Sequence, residues 1–155
     1  MLAVKPEQPS DPVRQWLQPD SIAYTDVGQG PVLVALHGCP GSVRDWRWLG
    51  PVLEGSSRLI RLELPGFGET PLKAGRASTA ADRADWVLGV LDRIGVDRFV
   101  CMAHSAGGPV ALHLAANNPD RVAGLALLAS PGLRPHAPLR AYPHAHRLSA
   151  ILRIP

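Results

Sequence analysis

Two short strings in this chain have the residue types and spacing for nucleophilic chemistry. Met102-Ala-His-Ser-Ala-Gly-Gly108 places Ser105 between an apolar run and a small-residue run, with Ala103 and Gly107 two positions to either side. A serine at such a strand-to-helix junction sits on a tight turn, and only small neighbours fit where strand and helix crowd together. The helix that follows presents unpaired N–H groups and the positive end of its dipole, which suit a developing negative charge. Pro109 falls in or just past the first turn, where a missing N–H costs least. The same string is compatible with a plain turn whose serine only caps the helix. A second string, His37-Gly-Cys-Pro-Gly41, follows another apolar run and bears on the choice.

The elements that must position these strings alternate. Ile22–Val27, Val32–Leu36, Arg58–Leu62, Phe99–Ala103 and Val122–Ala129 read as strands, several apolar on both faces. Between them, Arg44–Leu53 has Trp46, Leu49 and Leu53 at helical spacing, weakened by Gly50-Pro51. Thr79-Ala-Ala-Asp82 has the form of a capping box, Ala84 to Ile94 repeat every three or four residues, and Gly95 stands where a helix-ending glycine belongs. Ser105–Asn117 reads as a helix stopped by Pro119. This alternation predicts an α/β fold, a parallel sheet with helices on both faces. Residues 1–20, with four prolines, read as an extended arm. Residues 21–130 form the core. Residues 131–155 break the pattern with further prolines.

The three ordered strings His37–Ser42, Glu63–Gly68 and Ala103–Gly108 resemble the α/β-hydrolase superfamily, in its esterase-like branch, over about Ile22 to Ala129. There the signatures read HG-x-P-G-S, D-x-P-G-x-G and G-H-S-x-G-G. Two departures stand out: Ala103 replaces a glycine, adding a methyl at a tight place, and Glu63 replaces an aspartate that supports a loop. The resemblance implies a serine hydrolase cleaving an ester or related acyl bond through an acyl-enzyme at Ser105. The backbone N–H groups of Ala106 and Cys39 would hold the oxyanion. His37, Gly38, His104 and Gly107 would support the site, with His104 pointing to the other side of the strand end.

The same resemblance orders the catalytic triad as Ser, then Asp or Glu, then His. The strand ending at Ser130 carries no acid, and Asp120 in Asn118-Pro-Asp-Arg121 reads as the turn after a helix. The triad acid and histidine are therefore expected beyond this chain, which is expected to be inactive alone. His113 reads as a helix-face residue. His136, His144 and His146 fall where the family inserts a cap, so 131–155 reads as the start of that cap. Carbon–carbon hydrolases and cofactor-free haloperoxidases share the constellation. Dehalogenases and epoxide hydrolases, whose nucleophile is an aspartate, are disfavoured. If the natural protein ended at Pro155, a non-catalytic binding protein would be the better reading.

Composition bounds the rest. At 155 residues, 46% hydrophobic and 19% charged, the chain suits one soluble domain. A net charge of +3 with interleaved signs does not suggest nucleic acid as a partner. No metal-ligand spacing is present, and Gly66-Phe-Gly68 lacks the rest of a dinucleotide loop, so no metal and no cofactor are expected. Cys39 and Cys101 are too few for a disulfide framework. The start, Met1-Leu-Ala-Val-Lys-Pro-Glu7, has no apolar signal region and no apolar run is long enough to span a bilayer. A cytoplasmic location and a small, apolar acyl substrate are the expectations; the oligomeric state is not readable.

Overall fold

Strands made of Val, Leu and Ile without a polar face must be covered on both sides. A computed structural model describes residues 9–11, 13–72 and 79–131 and has this arrangement. Its strands are β1 (Gln15–Leu17), β2 (Ile22–Val27), β3 (Val32–Leu36), β4 (Arg58–Leu62), β5 (Phe99–His104) and β6 (Val122–Leu128). They form one sheet in the order β1-β2-β4-β3-β5-β6. Its helices are α1 (Gly50–Leu53), α2 (Ala80–Arg93) and α3 (Gly107–Asn117), with a 3-10 turn at Val43–Trp46. The last expected segment, with His136, His144 and His146, lies outside the described residues.

Alternation along each central strand sorts side chains onto two faces. Val34, Leu36, Ile60, Leu62, Phe99, Cys101 and Ala103 point to one face and pack with Val87 and Leu91 of α2 and Val110 and Leu114 of α3. Ala35, Leu59 and Met102 point to the other, under Trp46, Leu49 and Leu53. Burying a Leu or Phe side chain completely contributes roughly 1.5–3 kcal/mol, so the larger cluster does most to fix the sheet against α2 and α3.

Three details differ from the sequence reading. The sheet is mixed: β4, β3, β5 and β6 are parallel, whereas β2 pairs antiparallel with β4 and β1 antiparallel with β2. The connection from β2 to β3 is only residues 28–31, too short for a crossover helix, so the chain returns in the opposite direction. It passes so close to the residues before β4 that a Cβ on Gly28 would stand 2.2 Å from the Ser57 carbonyl oxygen. Second, Gln15–Leu17 of the expected arm is a strand, three residues being too few to show a period. Third, Arg44–Leu53 is divided into the 3-10 turn and α1, with Pro51 in the first turn of α1 where its missing N–H is tolerated.

Helix α2 begins as its sequence predicts. The Thr79 hydroxyl accepts the Asp82 N–H at 3.1 Å, and the Asp82 carboxylate accepts the Thr79 N–H at 2.9 Å. Gly95, with φ of +70°, closes the other end. Replacing Thr79 by Ala is expected to lower stability by about 1 kcal/mol, and by Gly only a few tenths, in urea unfolding. No measurable loss in Thr79→Ala would show that the reciprocal cap contributes nothing.

Candidate active site

The register of the parallel strands brings the strings together. Leu36 lies opposite both Leu62 and Ala103, and Ala103 lies opposite Leu127. The carboxyl ends of β4, β3, β5 and β6 thus form one row, and each releases a segment of interest: Glu63–Gly68, His37–Gly41, His104–Ser105 and Ala129–Ser130. Open α/β sheets bind ligands outside this edge.

Ser105 has φ of +47°, the left-handed region that costs a residue with a side chain about 1–2 kcal/mol. Two backbone bonds hold it there: its N–H donates to the Leu128 carbonyl at 3.0 Å, and its carbonyl accepts the Gly108 N–H at 2.9 Å. Helix α3 is entered through Ala106 and has no side-chain cap, which counts against a merely capping serine. Space beneath the turn is scarce. A Cβ on Gly107 would lie 2.7 Å from the His37 carbonyl oxygen and 2.8 Å from that of Leu36. Ala103, by contrast, is fully buried in the main core and adopts no positive φ, so its extra methyl packs without straining the turn.

The loop after β3 lies directly against the serine. A Cβ on Gly38 would stand 3.1 Å from the Ser105 Cβ and 3.0 Å from His104 Nδ1. Among the described residues, no backbone carbonyl takes the N–H of Cys39 or of Ala106. Both donors are therefore uncommitted to the backbone framework at this edge. The Cys39 side chain is exposed and its thiol free. Cys101 is fully buried, which pushes its thiol up to about 12 and leaves it unreactive at neutral pH.

His37 orders this loop. Its Nε2 accepts the Leu64 N–H at 3.0 Å and its Nδ1 lies 2.7 Å from the Gly38 carbonyl oxygen. An amide N–H can only donate and a carbonyl can only accept, so the ring must be neutral with its proton on Nδ1. Burial lowers its pKa below the ordinary 6.5, against smaller opposing effects of the Gly38 carbonyl, Asp45 and Glu63. The Phe67 ring meets it edge-on at 5.3 Å. With both nitrogens occupied, His37 supports backbone and is unsuited to proton transfer.

The other predicted residues fall as follows. His104 is exposed, and a Cβ on Gly38 would stand 3.0 Å from its Nδ1. His113 is half-buried on α3. Asp120 lies in the turn before β6, and Val122 pairs with Phe99 at the end of the sheet away from Ser105. Glu63 is completely buried, and Arg14, which sequence reading does not single out, bonds to it at 3.2 Å. No group of three or more His, Cys, Asp or Glu suited to a metal occurs among the described residues. No helix among them is long and apolar enough to cross a membrane.

A family model for the α/β hydrolase fold matches residues 31–147, and the chain belongs to that family. It is 38% identical, over 67% of its length, to the dihydrolipoyllysine-residue acetyltransferase component of the acetoin cleaving system of Pseudomonas putida, covering 28% of that protein. It is 34% identical to 2-hydroxymuconate semialdehyde hydrolase of a Pseudomonas species, over 70% of this chain and 39% of that one. Among solved structures, a bacterial membrane phospholipase A superposes with a TM-score of 0.74 at 29% identity, covering 79% of this chain and 41% of the other. The chain thus spans less than half the length of each of these relatives.

The tautomer of His37 gives a direct check. Its folded-state pKa is depressed, so its contribution to stability is complete above 6.5. That contribution is lost as pH falls from 6.5 through the folded value, because the unfolded chain takes up the proton first. Nitrogen NMR is expected to find the ring neutral, with the proton on Nδ1, at pH 6.5. A half-protonated ring at that pH would overturn the assignment.

Proposed function

We propose that the protein containing this chain is a serine hydrolase that cleaves an ester or related acyl bond through an acyl-enzyme at Ser105. The observation that supports this most is the packing of Gly38 against the Ser105 Cβ, which brings the loop bearing the Cys39 N–H beside the serine. In this reading Ser105 Oγ attacks the acyl carbonyl carbon and its proton passes to a histidine base. The carbonyl oxygen becomes an oxyanion held by the N–H groups of Ala106 and Cys39. Collapse of that intermediate expels the leaving group, which takes the proton. Water then attacks the acyl-enzyme by the same route and restores the serine. One such backbone donor typically contributes about 3–4 kcal/mol to the transition state.

The histidine base and the carboxylate that orients it are assigned to the protein beyond these residues, since a serine hydroxyl unaided is a weak nucleophile. Residues 1–155 alone are accordingly expected to turn over little. The substrate is a small acyl compound with an apolar portion, and the location proposed is the cytoplasm. A second reading within the same chemistry has one observation in its favour: the 34% identity to the 2-hydroxymuconate semialdehyde hydrolase. The bond broken when the serine's tetrahedral intermediate collapses would then be to carbon in place of oxygen, the carbon leaving group taking the proton, and water would release the acyl group from Ser105 as before.

A fluorophosphonate probe tests the shared step. The intact protein is expected to label, and Ser105→Ala to abolish labelling while leaving the fold unchanged by circular dichroism. Labelling that persists in Ser105→Ala would overturn the assignment. Turnover of p-nitrophenyl esters against 2-hydroxymuconate semialdehyde separates the two readings.

A further inference from the structure

The loop His37–Val43 is tied down at its two ends, and both ties lead to consecutive residues after β4. At its start, His37 accepts the Leu64 N–H at 3.0 Å. At its end, the Val43 N–H donates to Glu63 Oε1 at 3.4 Å. Cys39 lies between these anchors. The Glu63 carboxylate also accepts the Glu69 N–H at 2.6 Å through its other oxygen. Gly68 closes over it, since a Cβ there would stand 2.2 Å from the carboxyl carbon. One carboxylate therefore joins the end of the loop after β3 to the turn after β4.

A carboxylate so enclosed needs a counter-charge, because an uncompensated buried charge is strongly unfavourable. Its partner comes from far away in sequence. Arg14, just before β1, donates from Nη2 to Glu63 Oε1 at 3.2 Å and from Nη1 to Glu69 Oε1 at 2.9 Å. The planar fork of a guanidinium lets one side chain grip carboxylates on both sides of the turn, which a lysine's single nitrogen does less well. Pairing of β1 with β2, Gln15 opposite Tyr24, sets where Arg14 starts.

We propose that Arg14 is a positioning residue for the oxyanion hole: it holds the Glu63 carboxylate in place, and Glu63 fixes the loop that carries the Cys39 N–H. This rests on the serine-hydrolase reading for its effect on catalysis, but not for its effect on the loop. Arg14 touches no reacting atom. Its loss leaves a buried carboxylate without its guanidinium partner, which loosens the Val43 and Glu69 amides.

The test uses the intact protein with Arg14→Gln, Arg14→Lys and the double variant Arg14→Gln/Glu63→Gln. Amide hydrogen exchange is expected to quicken at Val43 and Glu69 in Arg14→Gln, while α2 stays protected. Fluorophosphonate labelling of Ser105, and kcat for p-nitrophenyl butyrate, are expected to fall about 10- to 100-fold, the range for a displaced transition-state donor, with KM little changed. Arg14→Lys should recover part of the loss. The double variant should outperform Arg14→Gln, because no uncompensated charge remains.

Exchange and labelling both unchanged in Arg14→Gln would overturn the proposal. So would a double variant no better than Arg14→Gln. If Arg14→Gln does not fold, the comparison of Arg14→Lys with wild type decides by the same two measurements. A wild-type protein that does not label at Ser105 would sink the serine-hydrolase reading. Exchange at Val43 and Glu69 would still decide whether Arg14 anchors the loop.

Discussion

Where α3 begins, its backbone presses against the carbonyl oxygens of Leu36 and His37 so closely that position 107 has no room for a Cβ. This contact locks the start of one helix to the end of a neighbouring strand, and the rest of the site depends on it. It is possible because β3 and β5 are adjacent and parallel, with Leu36 level with Ala103, so both chains leave the sheet at the same height. The chain leaving β5 must then turn within one residue to enter α3, and Ser105 takes that turn in the left-handed region. A strain of this kind persists only where the surroundings over-determine the backbone. Here the Leu128 carbonyl on one side and the Gly108 N–H on the other do so.

The same edge is stabilised by two opposite electrostatic solutions to burial. His37 is kept neutral by desolvation, and its two nitrogens are spent on one amide and one carbonyl. Glu63, next to the residue whose N–H His37 accepts, is buried beside a guanidinium and collects two backbone N–H groups. Neither side chain is free to exchange protons with a substrate. Both shape backbone, and backbone N–H groups are what an oxyanion site requires.

Much of this was legible in the sequence, for identifiable reasons. Strands such as Val32–Leu36 and Phe99–His104 are dense in apolar residues and bounded by turns, and the Thr79–Asp82 box acts within one helical turn. Such signals are local. The glycines at 38 and 107 were legible through their motif, although the contacts that demand them join residues about 70 positions apart. What escaped was non-local and without period. The Arg14–Glu63 pair is separated by 49 positions, and nothing around Arg14 marks it among the chain's basic residues. The antiparallel setting of β2 follows from which strand it pairs with, a property of the assembled sheet.

The division between backbone and side chain bears on how this half of the fold serves different reactions. In the proposed function, donors at the N–H groups of residues 39 and 106 would not depend on the side chains there, which fits a Cys39 whose thiol is exposed. Proton transfer, in contrast, requires particular side chains held at particular distances. A segment that provides the turn, the loop and the row of strand ends can therefore be kept while the groups that choose and protonate the substrate change. The similarity of this chain, at 38% and 34% identity, to an acetyltransferase component and a semialdehyde hydrolase fits that division. In this chain the loop and the turn meet where Gly38 lies against Ser105 and Gly107 lies against the Leu36 and His37 carbonyls.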